Sequence, residues 1–219
     1  AVEIGNKEGY IDKTGNVVIK PQFDAAWDFS EGLARVEFCC NYKWGYIDQT
    51  GNIIIKPQFN RASDFSEGLA AVKIGNKEGY IDKTGNVVIK PQFDVAGNFS
   101  EGLALVRIGN NKYGYINKTG NLVIAAKFSW ASDFSEGLAR VSIVDRNGDK
   151  WGFINKTGNV VIKPQFAQAS NFSEGLAVVR VGDKWGFVNK TGNIVIKPQF
   201  KWASDFSEGL ALVTMGDKS

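Results

Sequence analysis

Short runs of alternating apolar and polar residues, broken by glycines at regular intervals, dominate the chain. Leu69-Ala70-Ala71-Val72-Lys73-Ile74 is one run, Gly79-Tyr80-Ile81 a second and Val87-Val88-Ile89 a third. Runs this short, rich in β-branched and aromatic residues, predict strands. Gly75-Asn76 lies between the first two and suits a two-residue hairpin turn, because glycine takes positive φ without steric cost. Asp82-Lys83-Thr84-Gly85-Asn86 lies between the second and third. It fits a type I turn followed by a left-handed glycine, with the aspartate bonded to the turn backbone. The three strands predict an antiparallel meander. Its third strand is expected to end at Lys90-Pro91-Gln92-Phe93, since proline cannot donate to a central ladder. About a dozen residues then connect to the next meander, roughly twice the median loop length. Ala96 to Gly102 in this connection are expected to form one helical turn stopped by glycine, a short fourth strand being the alternative.

The whole pattern recurs six times. The Thr-Gly-Asn turn begins at Thr14, Thr50, Thr84, Thr119, Thr157 and Thr191, so successive copies are 36, 34, 35, 38 and 34 residues apart. Self-similarity at this period marks an array of supersecondary units that lean on their neighbours. The expected fold is all-β: six tandem three-stranded antiparallel meander repeats in one continuous array over residues 1–219. The units span 1–32, 33–68, 69–102, 103–137, 138–175 and 176–209, with a final strand at 210–219. An open, solenoid-like array is favoured over a closed β-propeller-like ring. Residues 1–24 and 71–94 differ only at Glu3 and Lys73, and block duplication of this kind is tolerated by an open stack. The start of the chain, Ala1-Val2-Glu3-Ile4, matches the interior Ala71-Val72-Lys73-Ile74, as expected of a monomeric fragment of a longer chain.

Alternation on the first strand of each meander separates two faces. Ala34, Val36 and Phe38 recur as Ala70, Val72, Ile74 and as Ala177, Val179, Val181, and are expected to face the core. The intervening positions change freely, from Arg35 to Ala71, Leu105, Arg140, Val178 and Leu212, and are expected to face solvent or a partner.

Lys-Trp-Gly followed by Phe/Tyr-Ile/Val-Asn/Asp, then Thr-Gly, Lys-Pro-Gln-Phe and Phe-Ser-Glu-Gly-Leu-Ala, resembles the WG (KWG) β-repeat family of bacterial proteins. The resemblance covers nearly the whole chain. It implies an interaction module, surface-associated or secreted in a bacterium, with no catalytic residues attached to the motif. The chain departs from the namesake: Trp44, Trp151 and Trp185 hold the tryptophan column, but Glu8, Glu78 and Tyr113 fill it elsewhere. The glycine that follows, Gly9, Gly45, Gly79, Gly114, Gly152 and Gly186, is the same in every copy. A strand glycine marks a bulge or the close approach of another segment, so these glycines and Trp44, Trp151 and Trp185 are read as structural.

Composition removes most chemistry. There is no histidine, hence no Ser-His or Cys-His pair and none of the commonest metal ligand. Glu31, Glu67, Glu101, Glu136, Glu174 and Glu208 repeat in all six units, which assigns them to closing the Phe-Ser-Glu-Gly turn rather than to catalysis. Asp145-Arg146-Asn147-Gly148-Asp149 lacks the glycine and glutamate positions of a calcium loop and reads as a longer hairpin. Adjacent Cys39 and Cys40 suit neither a metal site alone nor an unstrained disulfide. The net charge of +3 is spread over every copy, unlike the concentrated charge of a nucleic-acid binder, and no apolar run is long enough to cross a membrane as a helix. No enzyme activity, catalytic residue, cofactor or metal is expected, and neither nucleic acid nor membrane insertion.

What breaks the repeat is aromatic and cationic. Trp130 and Trp202 share a column that holds Ala25, Arg61, Val95 and Gln168 elsewhere, and Trp27 follows its repeated alanine by one residue. Trp27, Trp130 and Trp202, with Arg35 and Arg140, are the candidate binding residues, since tryptophan and arginine are enriched at contact surfaces. The expected function is a non-enzymatic binding or scaffold module that engages a protein or a cell-surface polymer. The alternative is a carbohydrate-binding module using exposed tryptophans, which predicts Trp130 and Trp202 in solvent with polar neighbours.

Overall fold

Each Asp-x-Thr-Gly-Asn turn is closed by its own side chains. Asp12 Oδ1 accepts from the Thr14 amide at 2.9 Å, the Thr14 hydroxyl at 2.7 Å and the Asn16 amide at 2.9 Å, while Gly15 sits at φ 91°. The Thr14 hydroxyl and the Asn16 amide hold the Asp12 carboxyl at a pKa of about 2, and Thr50 and Asn52 do the same for Asp48. In the later repeats Asn117, Asn155 and Asn189 make the same bonds without a titratable group. A carboxylate whose folded pKa is depressed stabilises above its unfolded value of about 3.9 and loses that stabilisation as pH falls. Acidification from about pH 4 to pH 2 should therefore shift the amide resonances of Thr14 and Thr50. Those of Thr119 and Thr157 should stay in place, as NMR titration would show.

A computed structural model describes residues 2–38, 42–145 and 148–216, and all regular structure among them is β. Cys39 and Cys40, and Arg146 and Asn147 of the longer hairpin, lie outside the described residues. The chain divides into two units, Ala1–Phe99 and Ser100–Ser219. In the first, β1 (Val2–Ile4), β2 (Lys7–Ile11) and β3 (Val17–Phe23) form a sheet. A four-stranded sheet follows, β4 (Ala25–Ala26), β5 (Leu33–Phe38), β6 (Lys43–Asp48) and β7 (Ile53–Phe59) in that order. Another is built from β8 (Arg61–Ala62), β9 (Leu69–Ile74), β10 (Lys77–Asp82) and β11 (Val87–Phe93). Strand β12 (Val95–Ser100) leads out of this unit.

The second unit begins with the meander β13 (Leu103–Ile108), β14 (Lys112–Asn117) and β15 (Leu122–Phe128). Two four-stranded sheets follow. One is β16 (Trp130–Ala131), β17 (Leu138–Asp145), β18 (Gly148–Asn155) and β19 (Val160–Phe166). The other is β20 (Gln168–Ala169), β21 (Leu176–Val181), β22 (Lys184–Asn189) and β23 (Ile194–Phe200). The pair β24 (Trp202–Ala203) and β25 (Val213–Thr214) completes it. Strand pairings among the described residues are antiparallel, and Ile74 faces Lys77, and Val181 faces Lys184, across two-residue hairpin loops.

The structure corrects the predicted three-stranded meander in three ways. The connection is not helical: two of its residues form a fourth strand, as Gln168 and Ala169 do against Arg180 and Val179. Its remainder folds as a hairpin turn, with Ser173 bridged to Leu176 and Glu174 at φ 53° beside Gly175 at φ 81°. Two successive left-handed residues make a type I′ turn, whose twist suits antiparallel neighbours better than a helical turn does. The third strand does end at the phenylalanine of Lys-Pro-Gln-Phe, as at Phe93 and Phe200, but proline is not what ends it. Trp185 faces Phe200 and Phe187 faces Ile196, so the third strand carries two extra residues at this point, and Pro198 lies in the resulting bulge, where no ladder bond is required of it.

Gly186 faces that bulge. A Cβ there would lie 2.5 Å from the Ile196 oxygen and 2.7 Å from the Pro198 nitrogen, and the other five repeats crowd their glycines in the same way. Backbone contact, rather than function, fixes this glycine.

Within each unit the cores are shared between consecutive sheets. Phe153, Ile162 and Phe166 pack with Phe172, Ala177, Val179 and Val188, and Tyr46, Ile55 and Phe59 pack with Phe65, Val72 and Ile81. The third strand is each sheet's edge; Val160 and Val161 stay exposed, whereas Ile162 packs against the Gly192 turn of the next repeat. The predicted alternation holds at Ala34, Val36, Ala70, Val72, Ala177 and Val179, all buried. It fails at strand ends, where Ile74 and Val181 are exposed, and at Ala71 and Val178, which are buried. The connection covers those two: the Ser170 hydroxyl accepts from the Val178 amide at 3.0 Å, and Ser63 does so for Ala71 at 2.9 Å.

The repeated glutamates also act differently from expectation. Rather than closing their own turn, Glu31, Glu101, Glu136 and Glu174 reach the next repeat. Glu136 accepts from the Gly175 amide at 3.0 Å and pairs with Lys190 at 2.9 Å; Glu31 accepts from Gly68 at 3.0 Å and pairs with Lys83 at 3.1 Å. Beside each runs a serine bond, such as Ser135 Oγ to the Phe172 carbonyl at 2.8 Å.

Candidate functional site

Pairing register decides which side chains of one sheet face meet. Ser142 of β17 lies opposite Trp130 of β16 on one side and Trp151 of β18 on the other. The equivalent row in the next sheet reads Gln168, Arg180, Trp185. In the first unit it reads Ala25, Glu37, Trp44 and then Arg61, Lys73, Glu78. The columns in which the six copies differ therefore lie side by side across each sheet. Where glutamate fills the tryptophan column it takes a structural role: buried Glu78 accepts from the Ala96 amide at 2.6 Å and pairs with Arg61 at 3.2 Å.

Arg140 stands two residues before Ser142, hence on the same face of β17. Its guanidinium lies 4.7 Å from the Trp151 ring centroid, within cation–π range, and Nη1 donates to the Ala169 carbonyl. Burial lowers the pKa of Arg140 from the usual arginine value, with the Asp205 charge acting in the opposite direction. Two adjoining cavities open beside it. One, of about 260 Å³, is walled by Arg140, Trp151, Gln168, Ala169 and Trp185. The other, of about 310 Å³, includes Arg140, Ser170, Trp185, Trp202, Ser204 and Asp205.

The five predicted binding residues fall into these surroundings unevenly. Trp202 is 46% exposed and walls the larger cavity with Arg140. Trp130 is 56% exposed and stacks on Tyr113 with centroids 5.9 Å apart, but lines neither cavity. Trp27 and Arg35 form a cluster of the first unit with Trp44. The Arg35 guanidinium lies 4.5 Å from the Trp27 ring and 5.6 Å from the Trp44 ring. Its Nη1 donates to the Ala62 carbonyl at 2.8 Å, and Nε pairs with Asp64 at 2.9 Å.

Trp151 and Trp185, read from sequence as packing residues, are half-buried and form cavity walls as well. Gln168, Ser170, Ser204 and Asp205 escaped the sequence reading. The signal for Gln168 was present, since it occupies the column of Trp130 and Trp202. The two serines and Asp205 are ordinary repeat residues, brought to the cavity only by the fold. Among the described residues no group of three or more His, Cys, Asp or Glu side chains is placed to hold a metal ion.

The WG containing repeat matches six stretches of the chain, residues 9–38, 44–77, 79–113, 113–145, 151–185 and 185–218, and the protein belongs to that family. No curated protein matches the chain. Among solved structures it is similar to virginiamycin B lyase from Staphylococcus aureus, at 15% identity and a TM-score of 0.49, over 94% of this chain and 83% of the lyase. A streptogramin B lyase is similar at 19% identity and a TM-score of 0.46, over 85% and 74% of the two chains. BamB from Moraxella catarrhalis follows at 10% identity and a TM-score of 0.47, over 87% and 66%. Likeness at this level assigns neither an activity nor a ligand.

Proposed function

We propose that the chain is a non-enzymatic carbohydrate-binding module whose contact surface is the tryptophan–arginine face of residues 100–219. The observation that carries this reading is the cavity of about 310 Å³ in which exposed Trp202 and half-buried Trp185 stand beside Ser170, Ser204 and Asp205. Indole faces offer flat apolar surface to the C–H faces of a sugar ring, while hydroxyl and carboxylate groups at the rim bond its hydroxyls. A predominantly apolar groove for a protein segment would lack that polar rim. The absence of histidine and the sixfold recurrence of the turn carboxylates support a binding role over catalysis.

A panel of soluble polysaccharides, neutral and acidic, tests the proposal by tryptophan fluorescence and calorimetry. A saturable response is expected from at least one polymer, and Trp202→Ala should weaken it about tenfold, in the range of an aromatic contact residue. No response from any polymer, or a response that Trp202→Ala leaves unchanged, would remove this reading.

A further inference from the structure

The repeat contains an internal comparison at its two arginine clusters. Arg35 and Arg140 hold the same place in the repeat, each after Leu-Ala, and each donates through Nη1 to the alanine carbonyl of the following repeat. Each also lies over the tryptophan that precedes the fixed glycine, Trp44 or Trp151. Arg35 is then closed off twice. Asp64 neutralises it at 2.9 Å, and Trp27, whose amide donates to the Arg35 carbonyl, covers it at 4.5 Å.

Arg140 has lost both covers. The residue at the place of Asp64 in the Ala-Ser-Asp-Phe segment is Asn171, in Ala169-Ser170-Asn171-Phe172. The residue at the place of Trp27 is Ser132, whose amide makes the same bond to the Arg140 carbonyl at 3.0 Å. Among the described residues no carboxylate forms an ion pair with Arg140, whereas Asp64 forms one with Arg35; the buried Nε of both arginines lacks a hydrogen-bond partner. A half-buried cation whose nearby carboxylate, Asp205, forms no ion pair with it is incompletely neutralised and favours an anion that can reach it. Beside it lies the cavity of about 260 Å³, walled by Trp151, Gln168 and Trp185 and free of acidic residues. Asp205 lines the adjoining cavity together with Arg140, and Arg180, in the row of Gln168 and Trp185, makes an exposed contact to Asp183 at 3.5 Å.

We infer that the Arg140 cavity binds the carboxylate of an acidic sugar, a uronic-acid residue of a polysaccharide, in the role that Asp64 plays for Arg35. The inference rests on the carbohydrate reading and narrows it. The carboxylate pairs with the Arg140 guanidinium, the Gln168 amide bonds a ring hydroxyl, and Trp185 offers its face to both cavities. The next sugar enters the larger cavity against Trp202, where Ser170, Ser204 and Asp205 meet uncharged hydroxyls.

Polygalacturonate and its methyl ester separate the charge from the sugar, since esterification masks the carboxylate and keeps the ring. The free acid should bind at least about tenfold more tightly than the ester to the full chain. Asn171→Asp, which returns to Arg140 the carboxylate that Arg35 already has, should weaken the free acid about tenfold and leave ester binding and the melting temperature unchanged. Equal affinity for acid and ester, or an Asn171→Asp variant that binds the acid as well as the parent does, would overturn the inference while leaving carbohydrate binding intact. Polyglutamate matched in charge is the third arm. If it binds as tightly as polygalacturonate and is indifferent to Trp202→Ala, the site is a carboxylate site for an acidic protein and the sugar assignment fails. Failure of every polymer removes the carbohydrate reading and this inference with it.

Discussion

Gly186→Ala should be among the most damaging single-methyl additions that this chain can receive, costing at least about 3 kcal/mol, beyond the usual range for an overpacked side chain. The added Cβ would meet the Ile196 oxygen at 2.5 Å and the Pro198 nitrogen at 2.7 Å, both backbone atoms of a strand pinned by its ladder. A flexible neighbour would give way, but here the bulge itself has to open. Opening it pulls Ile196 and Phe200 away from Phe187, so the loss spreads into the core around Val178 and Ala203. Urea unfolding followed by fluorescence should show the destabilisation. Trp185→Phe, one residue away, should change stability by less than about 1 kcal/mol, because its ring is half-buried and it leaves the backbone alone. If Gly186→Ala were as mild as Trp185→Phe, the close approach of the two strands would be wrong.

The parts of this fold legible in the sequence are those determined within a few residues. The Asp-x-Thr-Gly-Asn turn is one: Asp82, Thr84, Gly85 and Asn86 satisfy one another, so their order alone implies the geometry. The two-residue hairpins at Gly75 and Gly182 are another. The proline bulge was misread because the rule against proline in a ladder assumes an unbroken ladder. Gly79 and Pro91 signal opposite halves of one irregularity, and only pairing brings them together. The Ser-Glu-Gly turn was misread because glutamate is a poor left-handed residue by local preference, and what holds Glu136 there belongs to the next repeat. At the candidate site the aromatic columns were visible, but the face they share was not. Whether Trp151 stands beside Trp130 depends on Ser142 pairing with both. The contrast between Asp64 and Asn171 was printed in the sequence too, but it carries no meaning until Arg35 and Arg140 are placed beside them.

Glu136 gives the second large effect, and its two simplest replacements should differ. Glu136 adopts φ 53°, a conformation that costs an L-residue roughly 1 kcal/mol relative to glycine. The carboxylate offsets that cost through the Gly175 amide at 3.0 Å and Lys190 at 2.9 Å, at a partly exposed site. Charge-assisted bonds contribute about 1.5–3 kcal/mol when shielded, and solvent screening places this one near the lower end. Glu136→Ala keeps the strained backbone and loses the bonds, so about 2 kcal/mol should disappear. Glu136→Gly loses the same bonds but relieves the backbone and should cost about 1 kcal/mol less than the alanine variant. The Lys190 ammonium holds the pKa of Glu136 below the usual glutamate value, aided by the Gly175 amide. The stabilisation is thus complete above the unfolded pKa of about 4.3 and lost as pH falls through the lower folded value. Parent and Glu136→Ala should therefore differ fully at neutral pH and converge in acid, as unfolding curves at several pH values would measure. A gap that persists unchanged in acid would mean that the carboxylate is not what ties Glu136 to the following repeat. Equal loss for the alanine and glycine variants would mean that its backbone stores no strain.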